Sequence, residues 1–77
     1  MNAFYEIWEE GSDANPSFHV TIAGVQVGPR VSSKSHVAVL IYEHTGGDWQ
    51  TSPIVDRTRF APNIDDLLAG LDLIHAA

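Results

Sequence analysis

A chain of 77 residues with no cysteine and a net charge of −6 is too short for two independent cores and rules out a disulfide framework, a thiol nucleophile and a thiolate metal site. No apolar run approaches the ~20 residues of a membrane span, and the N-terminus lacks the basic and apolar regions of a secretory signal. With 4 Lys and Arg against 10 Asp and Glu, phosphate backbones would be repelled, so the chain reads as one cytoplasmic domain, 1–77, that binds neither nucleic acid nor membrane.

Residues 3–10 favour a strand with Ala3, Tyr5 and Ile7 on one face and Phe4, Glu6, Trp8 and Glu10 on the other; a short helix capped by Asn2 and stopped at Gly11 competes with it. Gly11 to Pro16 is an exposed loop by its Gly, Asx and Pro content. Phe18, Val20 and Ile22 then alternate with polar residues as a half-buried strand, Ala23-Gly24 makes a tight turn, and a short strand through Val27 ends at Gly28-Pro29. After a polar connection at 30–35, His36 to Glu43 is apolar on both faces and is predicted as the central strand. A turn at 44–48, a short extension at 49–51 and a last strand over 54–60 follow.

The C-terminal helix is the most strongly signalled element. Asn63 caps it, Asp65 and Asp66 lie in the first turn where the dipole favours them, and Pro62 blocks extension upstream. Ile64, Leu67, Leu68, Leu71 and Ile74 follow the spacing of one apolar face, and Gly70 marks a close approach to the sheet. The predicted fold is therefore α+β: an antiparallel β-meander of four to five strands with one amphipathic C-terminal helix packed on one face.

The charges are unevenly placed. Residues 1–29 hold Glu6, Glu9, Glu10 and Asp13 without a cation, and 61–77 hold Asp65, Asp66 and Asp72 without one. All four basic residues, Arg30, Lys34, Arg57 and Arg59, lie between. Arg57 and Arg59 share a strand face and are expected to pair with acids such as Asp56 or Glu43.

No catalytic or cofactor motif emerges. His36, Glu43, His44 and Asp48 lie close in sequence but lack the spacing that aims two imidazoles at one ion. Ser32, Ser33 and Ser35 lack an oriented base, and Thr45-Gly46-Gly47-Asp48 lacks the Lys and following Ser or Thr of a phosphate loop.

The reading is a non-enzymatic protein-binding module without cofactor, an inhibitor or accessory factor docking on a basic protein through Glu6, Trp8, Glu9, Glu10, Asp13, Asp65, Asp66 and Asp72. Met1 and a helix running to Ala77 read as a whole small gene product. By size and charge alone it is similar to phage-encoded inhibitors of bacterial defence, anti-CRISPR proteins included. The alternatives are a self-associating domain, since so small a core gains from dimerisation, or an antitoxin or immunity protein, with a metal-dependent enzyme further down.

Overall fold

The computed structural model describes residues 3–59 and 63–76. It begins with the meander that the alternation predicts. Strands β1 (Tyr5–Gly11), β2 (Pro16–Ile22) and β3 (Val25–Val31) pair antiparallel in chain order. Tyr5 and Ile7 are buried while Glu6 and Trp8 face the other side, the two-residue period of a strand and not of the competing helix. Ala23 and Gly24 form the two-residue hairpin turn, both at positive φ (53° and 79°), the hand that suits strand twist. Gly28-Pro29 does not end β3, which continues to Val31 past a register shift between Phe18 and Val20. It is an edge strand, where a proline without an N–H is tolerated.

The main correction concerns His36 to Glu43. These residues form not a central strand but the body of helix α1 (Lys34–His44). Val37, Ala38 and Ile41 are almost completely buried and Val39 is exposed, so the helical period is real, but the outward positions are apolar too and mask it. The decisive local signal is the serine run. Ser33 Oγ accepts from His36 N (3.3 Å) as the N-cap, and the Thr45 hydroxyl donates to the carbonyls of Ile41 (2.9 Å) and Tyr42 (3.0 Å) at the other end. The turn at 44–48 is thus the exit of a helix rather than part of a hairpin. Gly28 lets the helix approach β3, since a Cβ at its φ of +67° would lie 2.8 Å from Leu40 Cδ2.

The helix changes the sheet as well. It carries the chain back so that, after a single 3₁₀ turn (Trp49–Thr51), β4 (Ile54–Asp56) enters beside β1 in the parallel sense. The sheet is mixed, four strands in the order β3-β2-β1-β4, instead of purely antiparallel. The strand predicted over 54–60 is only three residues long because Asp56 accepts from the N–H of Thr58 (2.9 Å) and turns the chain; Phe60 lies outside the described residues.

Helix α2 (Ile64–Ala76) starts where predicted, with Asn63 Oδ1 accepting from Asp65 N (2.9 Å). It packs chiefly on α1 rather than flat on the sheet. Its apolar stripe is therefore split: Ile64 and Leu68 are buried, Leu67 and Leu71 half-buried, and Ile74 is 72% exposed. Gly70 makes no close approach, for a Cβ there would meet nothing within 4 Å. One core joins Tyr5, Ile7, Phe18, Val20 and Val27 of the sheet to Val37, Ala38, Ile41, Ile64 and Leu68 of the helices. Among the described residues the opposite sheet face carries no covering element.

Candidate functional site

Two surfaces follow from this layering, and the predicted site residues are divided between them. On the open sheet face, the pleat of β1 presents Glu6, Trp8 and Glu10 opposite Thr21, His19 and Ser17 of β2. Trp8 is 37% exposed; its Nε1 donates to Thr21 Oγ1 (3.1 Å), its ring lies nearly parallel to His19 (16°, centroids 6.4 Å apart), and the Arg57 guanidinium sits 5.2 Å over it. Phe4 (40%) and Val55 (36%) are exposed as well, at alternate positions of β1's lead-in and on β4.

The carboxylates of the first segment are paired with cations. Arg57 Nε donates to Glu6 (2.7 Å), Arg59 Nη2 to Asp13 (2.8 Å), and Glu10 lies between Arg30 (3.3 Å) and His19 Nδ1 (3.2 Å, off line for a hydrogen bond). Glu9 takes both the backbone N–H of Arg59 (2.6 Å) and its Nε (3.2 Å). Hydrogen bonds that Arg59 donates, first to Glu9 and then to Asp13, raise its pKa further above its already high ordinary value. Among the described residues the arginines do pair with acids, and the ion pairs formed are with those of β1 and its loop rather than with Asp56 or Glu43.

Two polar contacts anchor the interior. Lys34, although buried, donates to Asp56, and Asp56 also accepts from the Thr58 hydroxyl (2.6 Å). Burial alone would raise the Asp56 pKa; the bonds from Lys34 and Thr58 outweigh it and hold the carboxylate below its ordinary range. At the far end of α1, Tyr5 Oη and His44 Nδ1 are 2.6 Å apart, and burial raises the tyrosine pKa. His44 is thereby engaged with Tyr5, and among the described residues no three His, Asp or Glu side chains converge as metal ligands. Ser33 serves as the cap of α1.

The second surface is the helical layer. Between α1 and α2 runs an apolar groove of about 320 Å³, with Ser35, Ala38 and Val39 on one wall and Leu67, Gly70, Leu71 and Ile74 on the other, and Asp66 at its lip. Val39 (36%), Leu73 (73%) and Ile74 (72%) stand exposed at or beside it. Comparison with protein-family models, curated proteins and solved structures returns no match. Asp65 and Asp72, seven residues apart, share the other flank of α2, where Asp65 borders a shallower hollow of about 410 Å³ beside Trp49 and Gln50. Asp65, Asp66, Asp72, Glu43 and Asp48 have no cationic partner among the described residues. Once the sheet-face pairs and Lys34–Asp56 are set against each other, these five carry nearly all of the net −6.

The two acidic sets therefore do not form one patch. Glu6, Trp8 and Glu10 lie on the open sheet face, Glu9 and Asp13 meet Arg59 at the end of β1, and Asp65, Asp66 and Asp72 lie on the helices. The groove is not legible in the sequence, because the residues of its α1 wall are apolar on both faces and fit a strand as well as a helix. The serine cap before His36 was the signal that could have revealed it.

Proposed function

We propose that this chain is a small non-catalytic protein-binding module, an inhibitor or accessory factor, that docks on a basic protein through its helical layer. The observation that supports this is the separation of charge: the acids of β1 face arginines, whereas Glu43, Asp48, Asp65, Asp66 and Asp72 face none among the described residues. Carboxylates without a counter-charge steer a cationic surface toward themselves, and they do so more weakly as salt rises. A protein that handles nucleic acid would offer such a surface, with carboxylates taking the places of phosphates, as anti-defence inhibitors of similar size and charge would.

Affinity capture from the native source tests the reading. The partner should be retained at low salt, released at high salt, and lost when Asp65, Asp66 and Asp72 are changed together to Asn. Retention of the partner by that triple variant, unaltered at any salt, would refute it.

A second reading, self-association through the open sheet face, is favoured by a different observation. That face exposes Phe4, Trp8 and Val55 among charges already matched in pairs, so two copies could meet on it without net repulsion. Sedimentation at low micromolar concentration separates the two: a dimer that Trp8→Ala dissociates favours this reading, and a strict monomer removes it.

A further inference from the structure

Resting on that protein-binding reading, we infer that the α1–α2 groove is the docking site for an amphipathic helix with an apolar stripe and Lys or Arg flanks. The groove walls are helices whose backbone groups are already bonded within each helix, so they offer no strand edge to an extended peptide. A helix satisfies its own backbone and can bury side chains at i, i+3, i+4 and i+7 between Val39 and the Leu71–Ile74 wall. The space, roughly that of ten water molecules, suits a few aliphatic anchors and not a large ligand. Gly70 leaves its part of the wall open, since nothing lies within 4 Å of where its Cβ would be.

Electrostatics selects the partner's flanks. Asp66 lies at the lip, and Glu43 is one turn beyond Val39 on α1. Helix α2 contains no Lys or Arg, and Lys34, the only one on α1, is buried against Asp56. A second copy would set this acidic rim against itself, which disfavours a homodimer here and favours a basic foreign segment.

The test is a ¹⁵N-labelled titration of the full chain with three synthetic peptides: a helix with Leu at i, i+4 and i+7 flanked by Lys, the same helix flanked by Glu, and a Lys-matched peptide with the Leu positions changed to Ser. Only the first should bind, with shifts confined to residues 35–43 and 66–74. Gly70→Phe, which fills the groove from an open position, and Asp66→Lys should each weaken it about tenfold or more, while their free spectra keep the pattern of the folded chain. Shifts from the Lys-bearing peptides that map outside the groove, or that ignore both variants, overturn the groove assignment and leave the acidic-module reading standing. No binding by either Lys-bearing peptide at millimolar concentration overturns both.

Discussion

Replacing Lys34 by Met isolates the contribution of the contact that ties α1 to β4. The side chain of Lys34 is 5% exposed and that of Asp56 20%, so its removal leaves a mostly buried carboxylate without its cation. Breaking such a pair from one side costs about 3–5 kcal/mol when both groups are deeply buried. Here the cost should be roughly 2–4 kcal/mol, because Thr58 still donates from its N–H and its hydroxyl to Asp56. A chain of this length has roughly 4–11 kcal/mol of stability in all, so the loss is large and should appear as a lower urea midpoint at pH 7 with an unchanged slope. Adding Asp56→Asn should restore about half, since the amide oxygen can accept both Thr58 bonds without a charge. The pH dependence carries the sign of the argument. The folded pKa of Asp56 lies below its unfolded value of about 3.8, so its stabilisation is complete above that value and is lost as pH falls through the folded one. In Lys34→Met the bond and the charge that Lys34 supplies to lower this pKa are gone, so acid destabilisation of that variant should be shallower than in the parent. A variant within 0.5 kcal/mol (about a twofold change in equilibrium) of the parent, with the same acid profile, would refute this account of the pair.

Three further substitutions test other parts of the fold. Gly70→Ala should raise thermal stability by about 0.5–1 kcal/mol, since the residue is helical and an added methyl meets nothing. Gly28→Ala should lower stability by about 1–2 kcal/mol in denaturant titration, because φ is +67° and the new methyl would crowd Leu40. Tyr5→Phe should cost about 1 kcal/mol by loss of the bond to His44, and the His44 side-chain resonances should shift in the variant.

How much of this was legible in the sequence depended on how local the deciding interaction was. The Ala23-Gly24 turn, the alternation of Phe18 and Val20 and the Asn63 cap are written within a few neighbouring residues, and each is found where those residues put it. The run from Val37 to Tyr42 is apolar throughout, so a period of two and a period of 3.6 fit it equally, and only the Ser33 cap favours the helix. Once α1 is a helix it serves as a crossover, and the parallel entry of β4 follows from it. The charge pairs of Arg57 and Arg59 join residues about fifty positions apart, which no local pattern encodes. That is why the acids of β1 looked available to a partner and proved to face this chain's own arginines. For the candidate site, Asp66 was anticipated as a contact, but the apolar walls that give it context were not.

The parallel seating of β4 against β1 also bears on the order of assembly. The three meander strands need only short loops to meet, whereas pairing Tyr5 with Ile54 closes a loop of nearly fifty residues and must await α1. Contacts that depend on that closure, Lys34 with Asp56 and Arg57 with Glu6, should form after the rate-limiting step. Their loss would then accelerate unfolding and leave the refolding rate nearly untouched, so a chevron plot of Lys34→Met should move on its unfolding limb.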